Sequence, residues 1–214
     1  MADQEAVLKC REKIKDLLGD MRVSGWAEAY FNPEKSWTAS TFNTLGLNDP
    51  YTLNCDDLLA VHLLGIDFKP ITVRRLLLPG EEKHQVEELL STIDPGTRLW
   101  DAGAVEALDC ANALWLYLKT NKDKFPGVDW VTAGKILARK RPHLIPILDR
   151  HVDSYLQPPK GEFWEVLGAA LQEGELVEQI ERLRPKPVSS VEMRAQVSTI
   201  RLLDVAIWMH ETEG

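Results

Sequence analysis

The sequence has little of what would staple or metallate a fold. Its three cysteines, Cys10, Cys55 and Cys110, are scattered and form no C-x-x-C pair. That argues against a disulfide framework, a zinc site and an iron–sulfur cluster, so no metal and no cofactor is expected. The same cysteine usage points to the reducing cytoplasm. Long apolar runs are missing too. The segment 58–66, LLAVHLLGI, is too short to span a bilayer and carries His62, so no membrane partner is expected. The opening MADQEAVLKCREK has no apolar core of a secretory signal. There is no internal repeat, no low-complexity tract, no GxGxxG or P-loop, no G-x-S-x-G elbow and no HExxH.

A positive charge excess is also absent. Lys and Arg number 25 against 33 Asp and Glu, giving a net charge of −8 over 214 residues. As a sum this is wrong for a nucleic-acid binder. The distribution is uneven, however. Lys119, Lys122, Lys124, Lys135, Arg139, Lys140, Arg141 and Arg150 face only Asp123, Asp129 and Asp149 within one window. A basic window in an acidic chain is either a solvated helix face or the footprint of a polyanion.

What is present is helical periodicity. Residues 3–18 put Val7, Ile14, Leu17 and Leu18 on one stripe, with Gly19 as the stop. A short helix is expected near 24–31, before Pro33. Residues 31–53 form an irregular stretch holding Trp37, Phe42 and Tyr51, either a core plug or a binding surface, with the plug favoured. Asn54-Cys55-Asp56-Asp57 reads as a capped helix start. Adjacent carboxylates on a helix point about 100° apart, so Asp56 and Asp57 do not serve one site. His62, without a partner at metal spacing, reads as a buried, hydrogen-bonded core histidine. The β-branched start of 71–78 weakly favours a strand. Residues 81–92 predict a helix with Val86, Leu89 and Leu90 inward. Residues 103–119 predict another with Val105, Leu108, Ala111, Leu114 (or Trp115) and Leu118 inward. Two short helices follow over 161–171 and 174–183, then a break at Pro185 and Pro187. A last helix over about 197–211 starts near Ser198. The expected fold class is all-α, with 1–214 a single mainly helical unit or two lobes sharing a core.

The chemistry concentrates between Phe125 and Leu156. Pro126-Gly127 turns the chain, and glycine admits positive φ there. A helix then starts at or beside Asp129, and the open N–H groups of its first turn carry the positive end of the helix dipole. Lys135 and Arg139-Lys140-Arg141 add charge that would hold a nucleic-acid backbone without reading sequence. Pro146-Ile147-Leu148 then leads to Asp149, at another helix start. Asp149 reads either as an N-cap worth about 1 kcal/mol, paired with Arg150 or Arg141, or as a functional carboxylate. Asp153, one turn on, is the second candidate.

Residues 125–156 resemble the helix-hairpin-helix and aspartate segment of the base-excision DNA glycosylases. The matching residues are Pro126, Gly127, Val128, Thr132, Ala133, Gly134, Ile136 and Leu137, then Pro146, Ile147, Leu148, Asp149 and Val152. The wording TAG-x-IL and PILD is nearest the adenine-specific branch. More loosely, LARKRPHLIPILD and LLDVAIWM resemble an uncharacterised bacterial protein family. The glycosylase resemblance implies a helix-hairpin-helix bundle that binds double-stranded DNA as a monomer. In it Asp149 is the catalytic carboxylate, and Gly127, Val128, Trp130, Thr132, Lys135, Arg139, Lys140 and Arg141 lie along the DNA. Tyr30, Trp37 and Phe42, with Trp26, are guesses at the base pocket. Bifunctional members carry a Schiff-base lysine where this chain has Val131, so hydrolysis of the N-glycosidic bond of a damaged or modified base, without strand cleavage, is expected. Asp129 stands where the pattern has a second glycine. It either repels phosphate or turns away to cap the helix, and Trp130 beside it is read as core rather than as a sugar contact. Two other readings remain open, a non-catalytic helix-hairpin-helix DNA-binding module and a helical protein that recognises a protein or small molecule.

Overall fold

The computed structural model describes residues 2–32, 34–35, 37–185 and 197–213. The break expected at Pro187 lies outside the described residues. These residues form helices and connecting turns with no strand among them, an all-α fold. The helices are α1 (Gln4–Gly19), α2 (Val23–Tyr30), α3 (Cys55–His62), α4 (Pro70–Leu77), α5 (Glu81–Ser91), α6 (Ala104–Thr120), α7 (Trp130–Lys140), α8 (Arg150–Leu156), α9 (Phe163–Leu171), α10 (Glu175–Glu181) and α11 (Thr199–Glu213), with a 3-10 turn at Thr38–Thr41. No described helix is long and apolar enough to cross a membrane.

Local chemistry sets the helix starts. The Asp3 carboxylate caps α1 by accepting from the Glu5 amide. Asn54 and Asp57 form a reciprocal capping box at α3, each side chain accepting from the other's backbone N–H. Residues 70–77 are helix, not strand. Pro70 occupies the first turn, where its missing N–H costs nothing, and Thr72 and Leu76, four apart, are the buried pair. That spacing outweighs the β-branched run Ile71-Thr72-Val73. Two further expectations fail. Val105 is exposed, and α6 instead buries Ala104, Ala107, Leu108, Ala111, Leu114 and Leu118. His62 is exposed at the end of α3, its ring 3.0 Å from the Ile66 carbonyl and 3.3 Å from Asp67.

One contiguous buried cluster draws from every helix, from Cys10 in α1 to Ile207 in α11. In it α7 packs against both α3 and α6, while α11 packs against α2, α8 and α10. Surrounded in this way, α7 buries three consecutive cations at its end. Arg139 and Arg141 are 0% exposed and Lys140 2%. Arg139 pairs with Asp57 at 3.1 Å and donates to the carbonyls of Phe42 (2.7 Å), Leu45 (2.6 Å) and Leu47 (3.3 Å). Lys140 donates to Asp57 at 2.8 Å and to the Asn48 side chain at 2.9 Å. Arg141 has no carboxylate partner among the described residues and donates to the carbonyls of Ile93, Pro50, Lys140 and Leu90. Every donor group goes to a protein oxygen because a bare buried cation would cost several kcal/mol. The structure thus corrects the reading of Arg139, Lys140 and Arg141 as a phosphate footprint. They are the internal clamp that fixes residues 42–50.

Among the described residues Asp57 is the sole carboxylate on this clamp, itself 1% exposed. Asp57→Ala is expected to lower stability by about 3–5 kcal/mol, because it strands two buried cations. Urea unfolding followed by circular dichroism checks this; a loss below about 1 kcal/mol contradicts the clamp.

Candidate functional site

The stretch from Phe125 to Asp149 brings a hairpin and a carboxylate to different surroundings. At the hairpin, Gly127 has φ +86°, a left-handed backbone that favours glycine, and a Cβ there would lie 3.1 Å from the Lys69 side chain. Thr72 Oγ1 donates to the Pro126 carbonyl at 2.8 Å, holding the turn onto α4. Asp129 is the N-cap of α7 and accepts from the Thr132 amide at 2.8 Å. The amides of Gly127, Asp129, Trp130 and Val131 donate to no group among the described residues. The Val128 amide is spent on Phe125, and the side chains of Val128 and Thr132 are in the core. What the hairpin offers a ligand is therefore backbone N–H, with exposed Lys69 alongside. Trp130 is 46% exposed rather than core, its carbonyl accepting from Trp115 Nε1.

Asp149 is the N-cap of α8. Its Oδ1 accepts from the amides of His151 (2.9 Å) and Val152 (3.0 Å). Among the described residues its other oxygen makes no hydrogen bond, and neither Arg150 nor Arg141 pairs with it. Asp149 lines a cavity of about 190 Å³ together with Tyr30, Trp37, Lys135, Arg201, Asp204 and Trp208. Leu63, Leu64 and Ile147 contribute apolar wall. Asp153 is exposed and lines no part of it.

The aromatic walls come from three segments. Tyr30 and Trp37 stack with centroids 6.1 Å apart and planes at 22°. Trp208 meets both edge-on, at 6.1 and 5.6 Å. Phe42, read as a pocket wall, is not one. It is 1% exposed, lies 5.4 Å from the Arg201 guanidinium and does not line this cavity. Trp26 packs behind the wall, edge-on to His210.

Charge in the cavity is balanced and unevenly solvated. Lys135, expected along the DNA, is 8% exposed and turned inward, its ammonium 2.9 Å from the Leu64 carbonyl. Burial pushes its pKa down, and Asp149 and Asp204 partly oppose that. Arg201 pairs with Asp204 one helical turn along α11, and donates to Tyr30 Oη at 2.8 Å and to the Ala39 carbonyl. Arg201 Nε is buried without a partner. Burial raises the Asp204 carboxyl to about 6 despite the Arg201 guanidinium.

Arg201 and Asp204 were not anticipated from the sequence, and Trp208 reads there only as an apolar residue of the last helix. Their signal was present, since α11 is buried nearly all round and carries two charges and a tryptophan at i, i+3 and i+7. Among the described residues no group of His, Cys, Asp and Glu could hold a metal ion.

The chain belongs to a family of unknown function, DUF6308, whose model matches residues 23–211. No curated protein and no solved structure matches it.

The Asp204 shift gives stability a pH dependence. Its folded-state pKa lies above the unfolded value, so the folded state holds that proton more tightly. The resulting stability is fully present below pH 3.8 and is lost as pH rises to about 6. Asp204→Asn is expected to flatten the urea-midpoint profile between pH 4 and 7 by on the order of 3 kcal/mol in total. Parallel profiles for the two proteins contradict it.

Proposed function

We propose that this protein is a monofunctional DNA glycosylase that hydrolyses the N-glycosidic bond of a damaged or modified base in DNA. One observation carries the reading: Asp149, one of whose oxygens makes no hydrogen bond among the described residues, lines a cavity with the aromatic side chains of Tyr30, Trp37 and Trp208. An extruded base stacks on aromatic faces. Cleavage of its bond to the sugar builds positive charge at C1′. A carboxylate oxygen held at that position stabilises the cation and takes a proton from the attacking water. Two backbone amides fix the Asp149 rotamer through its other oxygen, so the carboxylate is ordered before substrate arrives.

The hairpin supplies the docking contact. Its unspent amides at Gly127, Asp129, Trp130 and Val131 suit a phosphate oxygen, and Asp129 stands in the capping position. With Arg139, Lys140 and Arg141 buried, other cations must hold duplex DNA, and Lys69 beside Gly127 is assigned that role. Val131 at the position of the Schiff-base lysine supports hydrolysis without strand cleavage. Three unpaired cysteines support a cytoplasmic location. The protein is assigned to act as a monomer on double-stranded DNA, with no cofactor.

Asp149→Asn tests the chemistry. Incubated with duplexes carrying a panel of modified bases, the wild-type protein should leave alkali-labile sites. The variant should lose at least about 100-fold in rate while still binding DNA, the scale of losing a preorganised electrostatic group. Full activity in the variant removes Asp149 from the mechanism. Duplex binding without base release anywhere in the panel favours a non-catalytic helix-hairpin-helix module. Lys69→Ala should weaken duplex binding equally for all sequences and reduce the salt slope by about 0.9, one phosphate contact. An unchanged slope places the docking surface elsewhere.

A further inference from the structure

The cavity holds an ammonium that a cation-stabilising site has no evident use for. Lys135 lines the same space as Asp149, and a positive charge beside a developing sugar cation would oppose the reaction. The conflict disappears if the two charges serve opposite ends of the breaking bond. N-glycosidic cleavage sends the bonding electron pair to the base, so negative charge grows on the leaving group as positive charge grows on the sugar. A base leaving as an anion in a largely buried cavity is costly without a partner. A carboxylate for one end and an ammonium for the other is the arrangement such a transition state needs.

We infer that Lys135 is the general acid that protonates the departing base. This rests on the glycosylase reading of the Asp149 cavity. The C1′–N bond breaks and its electron pair goes to the base nitrogen system, which takes a proton from Lys135 Nζ. Water oxygen bonds to C1′ and its proton passes to Asp149. Asp149 then loses its proton to solvent and the Lys135 amine regains one, so base, sugar hydroxyl and enzyme all balance.

The other groups facing the cavity are poorer donors. Among the described residues Lys135 donates only to the Leu64 carbonyl, which leaves two of its three N–H bonds unspent there. Arg201 is engaged by Asp204, Tyr30 and Ala39, and a guanidinium does not give up its proton. Tyr30 is buried and its pKa is raised, which makes it a weak acid. Asp204 is committed to Arg201. Burial makes Lys135 more acidic than an ordinary lysine, a change in the direction a proton donor requires.

The test uses the full chain on duplexes carrying uracil, hypoxanthine, 8-oxoguanine or adenine opposite 8-oxoguanine, under single-turnover conditions across pH. Wild-type base release should fall at alkaline pH as the Lys135 ammonium loses its proton. Asp204 is raised only to about 6, Tyr30 is shifted upward and the Arg201 guanidinium keeps its proton, so that limb belongs to Lys135. Lys135→Met should lower release by about 10²–10⁴-fold and abolish the alkaline limb. Lys135→Gln, which can still donate to the Leu64 carbonyl, should behave alike, and carries the test should the methionine variant melt early. A variant with the wild-type rate, or one that keeps the alkaline limb, overturns the inference while leaving the glycosylase reading standing. So does a borohydride-trapped wild-type adduct at Lys135, which would make the lysine a nucleophile. Absence of base release by the wild-type protein removes the glycosylase reading and this one together.

Discussion

Three consecutive cations inside the protein are the constraint on which the rest depends. Arg139 and Lys140 share a single carboxylate, Asp57, and Arg141 has none among the described residues, so most of their solvation must come from peptide carbonyls. Those carbonyls belong mainly to residues 42–50 and to the end of α5 with the turn after it. A stretch with no regular secondary structure thereby acquires fixed partners. The cost of burying the charges is offset only when each donor finds its oxygen, and that selects one conformation of the loop. Phe42, closed over by this arrangement, becomes core. Trp37 and Ala39, on the near side of the same segment, become cavity wall.

Two descriptions of Asp149 that compete in the sequence turn out to be compatible. Helix capping uses one carboxylate oxygen, and Oδ1 takes both amides. The second oxygen is left without a hydrogen bond among the described residues, as the proposed chemistry requires. Capping is a source of preorganisation here, because the hydrogen bonds that start α8 also set the side-chain rotamer. Asp129 shows the other outcome of the same motif. Its cap points into the first turn of α7, and it stands on an exposed hairpin outside the cavity. The same residue type in the same local role differs in what its remaining oxygen can meet.

Most helices were legible because their apolar spacing is strong. Ile14 and Leu17 in α1, Val86 and Leu90 in α5, and Leu108, Ala111, Leu114 and Leu118 in α6 follow the expected stripes. Asp149 and the hairpin glycine were legible as a linked motif, and Tyr30 and Trp37 as aromatics in the right region. The failures share a cause. Charge counted along a sequence does not say which way it faces, and α7 is covered on two sides, by α3 and α6. Its polar end could not point out. Arg201 and Asp204 were invisible for the converse reason, since they lie in a helix apolar enough to read as plain core. Residues 70–77 were ambiguous because β-branching and a proline start argue in opposite directions, and packing decided.

The balance of charge within the cavity limits what can occupy it. Asp149 and Asp204 stand against Lys135 and Arg201, and the Arg201–Asp204 pair neutralises itself on one face of α11. What remains for a ligand is one carboxylate oxygen, two ammonium N–H bonds and three aromatic side chains. A permanently charged ligand of either sign would gain one partner and be opposed by the other. A neutral heterocycle that separates charge only while its bond breaks gains from both at that moment and from neither strongly before it. Interactions that appear only in the transition state raise the rate without tightening ground-state binding. The neutrality of the cavity is therefore a requirement of the proposed reaction, as much as Asp149 is.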